Sequence, residues 1–363
     1  MESLVWDYKV YLEELGHKAV IINTNNCSRR EIIDGITRCR PDIVHLHWEW
    51  CEEVLGKISA PVRIVTSHYT ARDAREIAFF LLTRNFREYL ENGLFYFGLS
   101  PVWVREFIDS GYNPSEVFVS MNGADHRRFR FREAPLHGNR TICLGKIQPR
   151  KRQHIVQTID SIDFVGPMGG KTNFDKTQKN YLGEWTRNHL YEHLSDYANL
   201  VLLSESESCA PLVVLEALVC GLGVVVSPAA AVNLDTKLPW ITVIPEEKIT
   251  DTGFVEAEIA RNREIALRYR RRIHEYGVAN FSWEKLVPRY ADLCLKLYDE
   301  KTGRQGFFCR KRDTLRRLCH ALPVLRRLVR PRLLAHCPLW LRRLLLTASR
   351  RIFHAPGKDG NPG

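Results

Sequence analysis

The stretch from Ser204 to Ser227, S-E-S-E-S-C-A-P-L-V-V-L-E-A-L-V-C-G-L-G-V-V-V-S, decides the fold of this chain. A polar, acidic loop follows the apolar run Val201-Leu202-Leu203. Pro211 stands where a helix can begin, a position that tolerates a missing N–H. The spacing predicts a short apolar helix over Leu212 to Val219, ended by Cys220-Gly221, with Gly223 leading into the strand Val224-Val225-Val226. Strand, loop, apolar helix and apolar strand in that order make one unit of a parallel α/β sheet. Glu216 lies on the inner half of that helix, and a buried carboxylate needs a partner. A bound sugar or ribose diol is one such partner; a neighbouring backbone amide is the plainer one.

Working outward, the same alternation fills both flanks. Upstream, Leu4 to Leu15 reads as an amphipathic helix, Ala19 to Asn23 as a strand, and Ser28 to Arg40 as a helix with Ser28 as its cap. Strands follow at Ile43–His47, Val62–Thr66, Leu94–Leu99 and Val117–Ser120, with helices over 71–92 and 101–110. Phe131 to Arg140 is polar and reads as a linker. The alternation then restarts with a strand at Thr141–Leu144, a helix over Gln153–Ser161, a strand at Ile162–Val165 and a helix over Asn188–Tyr197. It continues with strands at Leu200–Leu203 and Ile241–Ile244. Charged helices over 252–276 and a last helix to Tyr298 close it. Two doubly wound units in series are the expectation.

With 363 residues, 45% of them hydrophobic, the chain is long enough for two α/β domains and a tail. The ten cysteines show no C-x-x-C pair, which points to reduced thiols in the cytoplasm rather than a disulfide framework. The first residues lack a basic start followed by an apolar core, and no run of about twenty apolar residues is present. The net charge of +11 is uneven. From Gly303 onward there are fifteen Lys and Arg against Asp313 and Asp359, leaving 38 basic and 40 acidic residues in the body. That split argues against nucleic acid as a partner of the whole protein. In the tail, L-R-R-L, V-L-R-R-L-V-R and W-L-R-R-L-L-L set leucines against arginines at helical spacing, cut by Pro323, Pro331 and Pro338. Basic amphipathic pieces of this kind suit an anionic membrane surface, and a solvated tail is the alternative.

Seven motifs then carry a resemblance. L-G-H-K-A-V-I-I (Leu15 to Ile22), P-D-I-V-H-L-H-W (Pro41 to Trp48), I-V-T-S-H (Ile64 to His68) and M-N-G-A-D-H-R-R-F (Met121 to Phe129) come first. L-G-K-I-Q-P-R-K (Leu144 to Lys151), E-A-L-V-C-G-L-G-V-V-V-S (Glu216 to Ser227) and N-F-S-W-E-K-L (Asn280 to Leu286) follow. In this order the chain resembles the GT-B glycosyltransferases of family 4, which are nucleotide-sugar-dependent retaining enzymes. The resemblance implies an α/β fold of two Rossmann-like doubly wound domains facing across a cleft. It implies an acceptor-side domain over 1–130, a linker over 131–140, a donor domain over 141–280 and a returning helix over 281–302. The basic amphipathic tail, 303–363, lies outside it.

The resemblance also assigns roles. Lys146 and Lys151 take the paired positions that hold the donor diphosphate, Lys replacing the usual Arg at 146, so a point charge survives without a bidentate fork. Glu216 takes the place of the carboxylate that holds the donor ribose. Another glutamate usually stands eight residues earlier and contacts the sugar; here Ser208 occupies that position, and Glu207 serves if the loop carries one extra residue. Leu212 and the amides after Pro211 are placed against a hydroxyl or phosphate. His68 is placed beside the transferred sugar. His45 and His47 are expected on opposite faces of their strand, packing or bonding locally, and no metal site or bound cofactor is expected. The implied reaction moves a sugar from a nucleoside diphosphate donor to a glycan or lipid-linked acceptor, with His68, Lys151 and Glu216 as the catalytic set. The implied place of action is the cytoplasm, with peripheral attachment to a membrane's cytosolic face as the alternative.

Two departures are plain. The family begins with an apolar strand and a Gly-rich loop, and this chain starts inside or just before the helix that follows them; an N-terminally incomplete form is the expectation. Together with Ser208, this supports an alternative: a catalytically weakened GT-B protein that binds a nucleotide-sugar or a partner enzyme. A sugar-nucleotide epimerase of the same fold is disfavoured by the motif order, and a nucleic-acid binder by the sparse aromatics of the tail.

Overall fold

The computed structural model describes residues 2–25, 27–47, 52–66, 68, 94–109, 113–207, 209 and 211–303. The helix expected over 71–92, Trp48, Ser208 and the tail from 304 lie outside them.

The first part opens with α1 (Glu2–Glu14) and α2 (Arg29–Cys39). Ser28 caps α2 as its sequence predicts. Its hydroxyl accepts from the Glu31 amide at 3.3 Å, and the Glu31 carboxylate accepts from the Ser28 amide at 2.7 Å, a reciprocal capping box. Four strands follow: β1 (Ile43–Leu46), β2 (Val62–Thr66), β3 (Phe95–Gly98) and β4 (Val117–Val119). They form one parallel sheet in the order β1-β2-β3-β4. Between them lie α3 (Glu52–Leu55) and α4 (Pro101–Asp109).

One expectation fails here. Ala19–Asn23 is not a strand. Among the described residues β1 pairs only with β2, and no ladder partner stands beside Ala19–Asn23. Its apolar character reflects packing instead, since Ile22 lies against the cluster of Ile32, Ile36, Leu55 and Val65. Side-chain burial without a backbone partner does not make a strand.

The second part carries β5 (His137–Leu144), β6 (Ile162–Val165), β7 (Tyr197–Leu202), β8 (Gly223–Val226) and β9 (Ile241–Val243). All pairs are parallel, in the order β6-β5-β7-β8-β9. β5 starts within the stretch read as linker; its first residues are polar, and its register against β7 shifts between His137 and Thr141. The helices are α5 (Gln153–Val156), α6 (Arg187–His193) and α7 (Leu212–Val219), then the 30-residue α8 (Thr252–Phe281) and α9 (Trp283–Thr302). α5 is shorter than the sequence suggests: it starts at Gln153 as expected but ends at Val156, and the rest of that segment runs as turns into β6.

Alternate residues of this sheet enter two separate cores. Ile142, Leu200, Leu202, Val224 and Val226 join one, and Cys143, Val201, Leu203 and Val225 the other. A parallel sheet covered on both faces reads in sequence as an unbroken apolar run, which is why V-L-L and G-V-V-V look as they do. α9 returns to the first part: Trp283, Leu286 and Val287 share a cluster with Leu4, Tyr8, Val62 and Phe97. The Trp283 indole N–H donates to Asp7 at 3.0 Å.

The two sheets meet through loops at the C-terminal ends of their strands. The Asn122 amide, after β4, donates to the Cys209 sulfur at 3.3 Å, after β7. Asn233, after β8, donates to the carbonyl of Leu99, after β3, at 2.8 Å. The Leu212 side chain packs on the cluster of the first part.

Candidate functional site

In an open parallel sheet the loops on either side of a reversal in strand order leave a crevice at the C-terminal strand ends. β5 has β6 on one side and β7 on the other, so the reversal lies between β5 and β7. The loops leaving those two strands contain Lys146, Lys151, Glu207 and the start of α7. Topology therefore brings together residues that lie up to 66 positions apart.

Lys151 closes the 3-10 turn after β5, and its ammonium lies 3.2 Å from the Glu207 carboxylate. Arg150 reaches the same Glu207 oxygen at 3.3 Å and also donates to the Ser206 carbonyl. Two cations thus converge on one carboxylate in the β7 loop. Lys146 is exposed, and its side chain crosses Gly169, where a Cβ would come within 2.7 Å of Lys146 Cε. The Ile147 amide donates to the Pro167 carbonyl, and the Gly169 amide to that of Ile147, both at 2.8 Å. These bonds tie the loop after β5 to the loop after β6. Gly166 has φ +147, and a side chain there would overlap the Gly145 carbonyl. Only glycine allows this backbone-on-backbone approach.

Leu212 is the first residue of α7, whose opening N–H groups have no partner within the helix by geometry. Glu216, one turn on, is 2% exposed. Its Oε1 accepts from Arg187 at 2.6 Å, and its Oε2 is buried with no hydrogen-bond partner. The protein partner is Arg187 rather than the backbone amide that the sequence offered. Arg187 opens α6 and donates through Nε to the Tyr191 hydroxyl at 3.0 Å; its guanidinium lies over the Phe129 and Tyr191 rings. Burial works against the Arg187 charge, but the Glu216 carboxylate and Tyr191 outweigh it and hold its pKa above the usual value. Nothing in the sequence marked Arg187, because it is 29 residues from Glu216 on a different helix.

The histidines lie at the C-terminal ends of β1 and β2. His45 and His47 share one face, with ring centroids 4.0 Å apart, rather than opposite faces, because strand side chains repeat with a period of two. His45 is fully engaged, one ring nitrogen on the Tyr290 hydroxyl at 2.9 Å and the other on Thr66 Oγ1 at 2.6 Å. His47 Nδ1 and His68 Nε2 are buried without hydrogen-bond partners, their rings 5.8 Å apart. Burial lowers the pKa of all three, to about 3 for His45 and about 4 for His68, so each is neutral near pH 7. Among the described residues no three His, Cys, Asp or Glu are grouped to hold a metal ion.

No family model matches the chain, and no curated protein matches its sequence. Solved structures do match its fold. A glycosyltransferase from Rickettsia africae superposes with a TM-score of 0.59 at 12% identity, over 84% of this chain and 95% of that one. Anabaena HepE in complex with UDP-glucose gives a TM-score of 0.57 at 14% identity, over 79% and 88%. Sucrose-phosphate synthase from Thermosynechococcus elongatus gives 0.57 at 15%, over 75% and 77%. With two parallel sheets whose strand ends face one another, and with these neighbours, the chain has the GT-B fold.

Proposed function

We propose that this protein is a retaining glycosyltransferase that moves a sugar from a nucleoside diphosphate donor to a glycan or lipid-linked acceptor. The observation that carries the reading is the cation pair Arg150–Lys151 on the Glu207 carboxylate at the β5/β7 reversal, in loops that also carry Lys146 and the start of α7. A diphosphate is the ligand such a crevice suits: cations and helix-terminal amides neutralise a leaving group without a metal. HepE, of the same fold, was crystallised with UDP-glucose, which makes UDP the first donor to try.

On this reading the roles divide among the loops as follows. The diphosphate displaces Glu207 from Lys151, and the freed carboxylate turns to a sugar hydroxyl. Glu216 binds the ribose through Oε2 once Arg187 shifts, since no hydroxyl reaches that oxygen while it is covered. His68, uncharged, donates to or accepts from the sugar across the cleft. The acceptor oxygen bonds to the anomeric carbon on the face from which the diphosphate departs. The C1–O bond to phosphate breaks, and the acceptor proton passes to the leaving phosphate oxygen. Acceptors held at a membrane suit the basic tail; no described helix is long and apolar enough to cross one.

A second reading has its own support. Glu207 is neutralised by two cations and Glu216 is closed by Arg187. A protein that binds a nucleotide-sugar or a partner enzyme, with transfer weakened, fits those occupied carboxylates.

Calorimetry with UDP and UDP-glucose on the wild type, Lys151→Ala and Glu216→Ala tests the donor site. Nucleotide binding weakened by both substitutions supports it. A folded wild type that binds no nucleoside diphosphate among UDP, GDP and ADP overturns it. Hydrolysis or transfer of the bound sugar then separates the enzyme from the weakened form.

A further inference from the structure

The short helix α6 carries a feature the donor site does not use. His189 and His193 are four residues apart on it, and their ring centroids lie 4.2 Å apart at an interplanar angle of 34°. The two rings therefore stand one above the other on the same face of the helix. His193 Nδ1 bonds the Asp196 carboxylate at 2.8 Å, and Asp196 is itself 2% exposed and paired with Arg132 at 2.6 Å. That contact fixes the orientation of the His193 ring and leaves its Nε2 without a hydrogen bond on a side chain that is 43% exposed. His189 is exposed; its ring makes no hydrogen bond and leans edge-on against Trp185, centroids 4.6 Å apart.

We propose that His189 and His193 form a two-histidine site for a borderline divalent transition ion such as zinc, with water completing the coordination. Two histidines at this helical spacing present imidazole nitrogens to one ion. Across a tetrahedral ion with Zn–N near 2.0–2.1 Å those nitrogens stand about 3–3.5 Å apart, and rings 4.2 Å apart reach that separation by small side-chain rotations. Asp196 plays the part that an outer carboxylate plays behind a metal-bound histidine: it sets the ring's orientation. Imidazole nitrogens favour zinc, copper and nickel over magnesium and calcium, so the site discriminates by ligand type.

The helix is prepared for this. Thr186 caps it by accepting from the His189 amide at 3.2 Å, and Arg187, its first residue, is held by Glu216. The pair is thus set on a helix anchored before the ion arrives, which lowers the ordering cost of binding. An ion bridging the two positions in turn stabilises this single short helix, which has little stability of its own. The same ion therefore steadies the residue that holds Glu216.

The test is zinc chloride titrated by calorimetry into the full chain, wild type and His189→Ala, with thermal unfolding followed at the same ion concentrations. The chain has 13 histidines and ten cysteines, so the substitution identifies the site, not the titration alone. The expected result is one binding event present in the wild type and absent from His189→Ala, and absent from both with magnesium. It comes with a zinc-dependent rise in Tm that only the wild type shows. His189→Cys, which supplies another zinc ligand, restores the event. Because His189 is exposed and its ring makes no hydrogen bond, His189→Ala folds normally. Equal zinc binding by wild type and His189→Ala, or no binding by the wild type, overturns the proposal.

Discussion

The two sheets of this protein build their crevice walls from opposite chemistry. The second, β6-β5-β7-β8-β9, reverses its strand order once and places ionised groups at the reversal: Arg150 and Lys151 against Glu207. The first, β1-β2-β3-β4, runs in sequence order without a reversal among the described strands, and its strand ends carry imidazoles that burial keeps neutral. Burial does not separate the two sheets, since each has strands buried throughout, β3 in the first and β7 and β8 in the second. The second offers charged groups at its strand ends, and the first uncharged hydrogen-bonding groups. A substrate with a charged leaving group and neutral hydroxyls has a reason to lie between them.

The sharpest break of that comparison is Gly166→Ala. It removes the close approach of the β5 and β6 loops, because the added methyl group overlaps the Gly145 carbonyl at a φ of +147. A loss of about 3 kcal/mol or more in denaturant unfolding is expected, together with loss of nucleotide binding. Wild-type stability in that variant would show the two loops to be independent.

Next, Lys151→Ala and His68→Gln separate the two walls. Lys151→Ala is expected to weaken nucleoside diphosphate binding by roughly 1.5–3 kcal/mol, the worth of a hydrogen bond to a charged group, with a salt dependence that the variant loses. His68→Gln leaves binding of the nucleotide alone unchanged and weakens only the sugar-nucleotide. If both substitutions lower UDP affinity equally, the division of labour is wrong.

Acid stability then tests the neutral histidines. His45 and His68 have folded pKa values lowered to about 3 and about 4 by burial, below the ordinary 6.5. The unfolded chain therefore binds more protons between pH 6.5 and 3, and the stability these residues contribute above pH 6.5 is lost as pH falls through that window. A His45→Gln, His68→Gln double variant should lose less stability than the wild type between pH 6.5 and 4, measured by urea unfolding.

Asp7 gives the smallest effect, and the opposite one. Burial and then the nearby Asp125 raise its pKa to about 6, against the Trp283 hydrogen bond and the Arg187 and Arg128 charges that lower it. The folded state holds a proton that the unfolded state gives up near 3.8, so this contribution to stability is present below that pH and is lost as pH rises to 6. Asp7→Asn should therefore be more stable than the wild type above pH 6, by roughly 1–2 kcal/mol, and no more stable at pH 4. Matching pH profiles for the two proteins would remove Asp7 from the account.

Much of this was legible in sequence because it is local. Leu212–Val219 forms the predicted helix at the predicted boundaries, Ser28 caps α2, and V-L-L and G-V-V-V are the buried parallel strands their runs suggest. Such features depend on periodicity and on neighbours within four residues. Two of the three failures were not local. Ala19–Asn23 has a strand's pattern, but a ladder needs a second chain segment. Glu216 displayed its need for a partner without naming Arg187, which reaches it only when α6 and α7 pack side by side. The placing of His45 and His47 missed the period of two.

The sequence by itself determined two α/β units in series, the helix that carries Glu216, and the lysines after β5, because hydrophobic period and turn residues act along the chain. Only the tertiary structure decided what each charge faces: Glu207 against Arg150 and Lys151, Glu216 against Arg187. Strand order and helix packing choose these partners, and a charge taken from water settles on whichever opposite charge the fold brings within reach.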